Sequence, residues 1–191
     1  MGDPPRIRSR KTTRLSPWVE IVAREVEFAP GAAPETYHAI AQTDYIAILA
    51  RTPDGRFPVV RQYRPAIEAY SWELPAGMVD ADEEPAATCA RELLEETGYP
   101  ARSVHPLGNY APCTARLSNR IHSFFVETGE LQPGAQSEAG ITVRLVSGPE
   151  LAGMIHTGEF TLHLHIGTIA LAAMQGFVDF GAFSGILHPK A

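Results

Sequence analysis

The chain has 191 residues, 45% hydrophobic and 20% charged, in the range of ordinary globular domains and long enough for a sizeable core. A formal net charge of −6 argues against a nucleic-acid partner, whose phosphates call for a basic footprint. Two cysteines, Cys89 and Cys113, are too few for a disulfide framework and suit a reducing, cytoplasmic setting, and no apolar run approaches the ~20 residues needed to span a bilayer.

Residues 1–15 carry Arg6, Arg8, Arg10, Lys11 and Arg14 without the apolar stretch of a secretory signal. A solvated, mobile basic tail is expected there, rather than an RNA-binding arm or a transit peptide. From Trp18 to Phe28 apolar and polar residues alternate loosely, as in a half-buried strand. Thr36–Gln42 and Tyr45–Arg51 read as two more strands. Thr52-Pro53-Asp54-Gly55 then turns the chain into a returning strand, Phe57–Tyr63, making a hairpin candidate that Pro58 weakens near its start.

The clearest helix is Glu84–Thr97, with Pro85 suited to its first turn and Gly98 placed to stop it. Strands follow at His105–Tyr110, Ile121–Glu127 and Ile141–Val146, then helices at Pro149–Thr157 and about Leu162–Gln175. The last of these is apolar enough to pack as a core helix. Cys89 reads as a small core residue, and His122, His163 and His165 lack the Cys or carboxylate spacing of a zinc site.

Between Gly77 and Tyr99 the sequence is GMVDADEEPAATCARELLEETGY. On a helix, Glu92 and Glu96 share one face, and Glu95 lies one turn from Glu92. Like charges at these spacings repel, and they gather at the end of the helix that already carries the negative pole. A divalent cation would turn that cost into a binding site, since hard cations take carboxylate oxygens. Arg91 can orient a neighbouring carboxylate with its planar fork, while Pro75 and Gly77 shape a loop whose carbonyls can also face a metal.

Gly77, Glu83, Arg91-Glu92-Leu93, Glu95-Glu96 and Gly98-Tyr99 match the Nudix box, Gly-x5-Glu-x7-Arg-Glu-U-x-Glu-Glu-x-Gly-U with U apolar, at every fixed position. On these residues the chain resembles the Nudix hydrolases. The resemblance implies an α/β (α+β) fold, an α/β/α sandwich with a mixed sheet plus small N-terminal antiparallel strands. It implies one Nudix domain over 16–191, with strands at 16–43 swapped across a homodimer and a Nudix core at 44–191. Magnesium, or manganese, would be held by Glu92 and Glu96 with Glu95 beside them and the Ala76 carbonyl as a further ligand. Glu83 would act through water. Arg91 would support the cluster, and Glu95 would serve as ligand or base.

Val60-Arg61-Gln62-Tyr63-Arg64-Pro65-Ala66, Trp72-Glu73-Leu74-Pro75-Ala76-Gly77 and the Pro17-Trp18 entry resemble the branch that hydrolyses ADP-ribose and related nucleotide sugars. That branch cleaves a pyrophosphate into a nucleoside monophosphate and a sugar phosphate. Trp18 and Tyr37 are the candidates for stacking on a nucleobase, or else anchor a sheet. Arg61 and Arg64 would grip phosphate or ribose oxygens, or else form surface ion pairs, and Glu73 belongs to the same substrate-binding set. Leu117 lies in the segment of the specificity loop, Pro112–Asn119, where relatives carry a proline at the position of Ala115. Glu138, the acid of the loop Gln136–Gly140, stands where relatives often place a general base. A GDP-mannose or UDP-glucose pyrophosphatase is the alternative enzyme. A non-catalytic nucleotide-sugar-binding regulator is the alternative of another class, and the intact box speaks against it.

Overall fold

A computed structural model describes residues 4–179 of the chain. They fall into two compact units, one built from residues up to Asp44 with Tyr110–Ile121, the other from Tyr45–Asn109 with the chain from His122 onward.

The first unit is an antiparallel sheet of β1 (Arg6–Arg14), β2 (Glu20–Glu27) and β3 (Glu35–Ala41), in that order. Strand β1 corrects the expectation of a mobile tail. Its nine residues are exposed, yet they pair along β2 from Arg6↔Glu27 to Arg14↔Glu20. Side chains meet across the pair, Arg8 with Glu27 and Ser9 Oγ donating to Glu25 at 2.9 Å, although Arg10 stands opposite Arg24. In the same unit Ile40 pairs with Leu117, and Arg120 N–H donates to Asp44 Oδ1 at 2.7 Å.

The second unit carries two sheets and all the helices of the described residues. Strands β4 (Tyr45–Arg51), β7 (Ala76–Met78), β8 (Ala101–Tyr110) and β9 (Ile121–Thr128) form one sheet in the order β7-β4-β9-β8. Strands β5 (Phe57–Arg64), β6 (Ala69–Glu73) and β10 (Thr142–Val146) form the other, in the order β10-β5-β6. The helices are α1 (Pro85–Thr97), α2 (Gly148–Thr157) and α3 (His163–Met174).

Strand β4 shows how the layers arise. It is apolar almost throughout, which suits a strand covered on both faces. Ile46, Ile48 and Ala50 pack with Cys89 and Leu93 of α1 and with Phe124 and Val126 of β9. Leu49 points the other way, into a core with Leu151 and Met154 of α2 and Ile169 and Ala172 of α3. The period of two along one strand therefore sets helices on both sides of it, giving the α/β/α arrangement. Cys89 and the last helix occupy the core positions expected of them, and burial pushes the Cys89 thiol up to about 12.

Two further strands were not expected. β6 is short and lies between prolines, and three-residue β7 is too brief to show any period. The hairpin expectation holds only for its turn. Thr52 N–H donates to Arg56 C=O at 2.8 Å, but β4 and β5 then enter different sheets. Pro58, second in β5, has no N–H to extend a hairpin ladder. Among the described residues no helix is long and apolar enough to cross a membrane.

Candidate active site

Helix α1 begins at Pro85, which costs nothing where the N–H would be unsatisfied anyway, and ends at Gly98, whose φ of 75° returns its N–H to Leu94 C=O at 2.8 Å. Its last turn holds Glu95 and Glu96 with no basic residue to offset the helix dipole. Stability does not account for two glutamates there, with Glu92 one turn before them.

Arg91 organises the cluster. Its Nη1 donates to Glu92 Oε1 at 2.9 Å and to Glu95 Oε2 at 3.0 Å. Its Nε and Nη2 donate to the two oxygens of Glu83 at 3.2 and 3.0 Å. Thr88 Oγ1 adds a bond to Glu83 Oε2 at 2.8 Å, so Glu83 serves to brace the turn into α1. Those bonds also hold its carboxyl below the usual range, Arg91 first and Thr88 second.

Glu96 is 4% exposed, and its Oε2 accepts the Ala76 N–H at 3.0 Å. Burial is the main reason its carboxyl is pushed up to about 8; the Ala76 bond opposes this, while Glu92 and Glu138 add to it. Glu92 is also raised, first by burial and then, against the pull of Arg91, by Glu95 and Glu138. Gly77 fits against the Glu92 side chain so closely that a β-carbon would overlap its carboxylate.

Gly77→Ala tests that fit. The overlapping group is the end of a flexible side chain, so Glu92 will swing aside rather than unfold the loop. The variant is expected to stay within about 1 kcal/mol of wild-type stability. Its kcat/KM should fall by about two orders of magnitude, the cost of a misplaced catalytic group. Thermal unfolding and steady-state kinetics on one preparation will check both.

Glu138 and Glu96 line one pocket of about 240 Å³ together with Gln62, Tyr63, Ala139, Gly140 and Ile141. Its loop is turned by Gly140 at φ 90° and closed by Ile141 N–H on Glu138 C=O at 3.0 Å. Tyr63 is 49% exposed and meets Tyr70 edge to face at 5.5 Å, while the Arg61 guanidinium lies over the Tyr70 ring at 4.4 Å.

The structure places Arg91 against Glu92 and Glu95, Glu96 against the Ala76 N–H, and Glu138 with Glu96 on the lining of one pocket. Glu73 is 2% exposed, and Arg64 Nε and Nη2 donate to its two oxygens at 2.9 and 2.5 Å. Arg64 is committed to the same pair. Arg64→Ala would leave Glu73 buried and uncompensated, and should cost about 3 kcal/mol in denaturant unfolding. A raised KM with unchanged stability would return Arg64 to the substrate-binding set.

Trp18, Tyr37 and Leu117 belong to the first unit. Trp18 is 60% exposed in the bend before β2, Tyr37 meets Phe28 edge to face at 5.5 Å, and Leu117 bridges to Ile40. The pocket residues Gln62 and Tyr63 escaped the sequence reading, although both lie in the Arg61–Arg64 segment. His165 also escaped it. A histidine flanked by leucines and isoleucine on an apolar helix is buried, and a buried histidine needs a partner.

A desolvated carboxylate beside two others, against a glycine that clears space for one of them, is a donor set suited to a hard divalent cation. As they stand, Glu92 and Glu95 turn onto Arg91 and Glu96 onto the Ala76 N–H, and among the described residues no three acidic, His or Cys side chains converge on one point.

This combination of fold and glutamate-rich helix defines a class, and comparison with known proteins names it. The sequence model of the NUDIX domain matches residues 42–161. The chain belongs to the Nudix family and is a Nudix hydrolase. It is similar to the ADP-ribose pyrophosphatase of Mycobacterium tuberculosis, 33% identical over 159 residues, 78% of this chain and 75% of that one. It is also similar to a CMP-5'-(N-acetyl-N-hydroxy-3-aminopropyl)phosphonate hydrolase of Streptomyces rubellomurinus, 28% identical over 88% of this chain and 82% of that one. The crystal structure of an ADP compounds hydrolase shares the fold, with a TM-score of 0.76 and 19% identity over 92% of this chain and 98% of that one.

Proposed function

We propose that this enzyme hydrolyses the pyrophosphate bond of ADP-ribose or a related nucleoside diphosphate sugar, with a divalent cation, magnesium or manganese. The observation that carries the reading is the buried Glu96 carboxylate, bonded to the Ala76 N–H and lining one pocket with Glu138. The family's box, complete here, and the Mycobacterium relative named for ADP-ribose support it.

Glu92 and Glu96 would hold the cation, with Glu95 beside them and the Ala76 carbonyl as a further ligand. Bound there, it would neutralise the pyrophosphate and lower the pKa of a coordinated water. Arg91 keeps Glu92 and Glu95 oriented. Glu138 accepts the proton of the attacking water as its oxygen bonds to phosphorus and the anhydride P–O bond breaks. One water is consumed, and a nucleoside monophosphate and a sugar phosphate are released. Trp18, Tyr37 and Leu117 remain candidates for recognising the base, and strands β1–β3 for pairing two copies into a homodimer.

The experiment is a panel assay with magnesium, comparing ADP-ribose, GDP-mannose and UDP-glucose. AMP release from ADP-ribose, abolished by a chelator, supports the proposal. Turnover of GDP-mannose or UDP-glucose alone reassigns the base and sugar. No turnover at all with either metal would favour a nucleotide-sugar-binding regulator. The Streptomyces relative favours one second reading, a cytidine nucleotide joined to a phosphonate, so such a compound belongs in the panel.

A further inference from the structure

The five residues from Glu73 to Gly77 are held at almost every step. Glu73 takes the Arg64 fork, Ala76 N–H donates to Glu96, Pro75 C=O accepts from Ile48 N–H at 3.0 Å, and Gly77 abuts Glu92. The remaining amide is that of Leu74. It lies between the end of β6 and the start of β7, outside either ladder. Its N–H donates to Nδ1 of His165 at 3.0 Å, across 91 residues of sequence.

His165 is 1% exposed in the first turn of α3, and Leu74 beside it is wholly buried. Accepting at Nδ1 requires the neutral ring with its proton on Nε2. Burial favours the same form, pushing the imidazole down to about 4, with Arg64 adding to the effect and Glu73 opposing it. A buried leucine amide without an acceptor is costly, so this contact decides where Leu74 sits. From Leu74 to Ala76 is two residues.

We infer that His165 is a positioning residue, whose Nδ1 holds the Leu74 amide and thereby presents Ala76 and Gly77 to Glu96 and Glu92. α3 thus becomes part of the catalytic apparatus without touching substrate. The inference rests on the proposed cation site only for its consequence; the hold on the loop stands apart from it.

The test compares two isosteres in the full chain. Asn can place Oδ1 where Nδ1 stands, whereas Gln carries its oxygen one bond further out. Amide exchange of residues 73–78 is measured without metal, and Mn²⁺ binding by calorimetry with the metal alone. His165→Gln should speed exchange at Leu74 and Ala76 by about tenfold, the worth of one buried hydrogen bond, and weaken Mn²⁺ by a similar factor. His165→Asn should restore both to within about threefold. Ile169→Ala, a core truncation on the same helix, serves as the destabilised control and should leave Mn²⁺ affinity unchanged.

Equal exchange in the Asn and Gln variants overturns the positioning role. So does loss of Mn²⁺ affinity in Ile169→Ala to the same extent as in His165→Gln. Wild-type protein that binds no Mn²⁺ overturns the cation site instead, and leaves the exchange comparison to decide the role of His165.

Discussion

Glu96→Gln is expected to lower kcat by about 10³-fold at saturating magnesium, because transition-state charge stabilisation at such a site is worth several kcal/mol. The substitution keeps the shape, and the amide oxygen can still accept the Ala76 N–H. What it removes is a charge in a site that already raises the carboxyl, through burial and then through Glu92 and Glu138. Without metal the variant should therefore be at least as stable as wild type, most clearly at pH 9, where the native carboxyl is ionised. Added Mn²⁺ should reverse the order. A ligand at a hundred times its Kd stabilises by about 2.7 kcal/mol, and only the wild type should gain that amount. Thermal unfolding with and without metal at pH 9 measures the crossing. A variant that loses stability without metal, or binds Mn²⁺ as tightly as wild type, would remove Glu96 from the cation site.

Glu138→Gln is expected to cost 10²–10⁴ in kcat, the usual span for a lost general base. Glu138 is exposed, and the fold of its loop rests on main-chain contacts, so stability should change by less than about 0.5 kcal/mol. KM should stay within about threefold, since a base acts on the water rather than on substrate binding. Together with Glu96→Gln this separates two roles: both variants lose turnover, and only one loses the metal. Wild-type turnover at saturating magnesium in Glu138→Gln would pass the role of base to Glu95, whose carboxylate lies on Arg91.

Helix α1 and its charge cluster were legible in the sequence because their evidence is local. Three glutamates and an arginine within one and a half turns must share a surface, whatever the rest of the chain does. The stop at Gly98, the core placement of Cys89 and the apolar last helix follow from the same short-range periodicity. Glu138 was reached by resemblance, and its place on the Glu96 pocket emerged only with the structure.

Other features depended on partners far along the chain. Residues 6–14 read as a solvated tail until β2 supplied Glu25 and Glu27 across from them. Glu73 and Arg64, nine residues apart on two strands, were read as a substrate grip; in the fold the Arg64 guanidinium reaches along the β5–β6 pair to the buried Glu73 carboxylate. His165 carried no motif, and its acceptor role appears only once α3 lies against the Leu74 amide. By itself the sequence determined which charged residues share one face of α1, since charge spacing on one helix is fixed by covalent geometry. The tertiary structure alone decided which polar groups are consumed in holding that helix and its loop in place, because burial and pairing over tens of residues are settled only by packing.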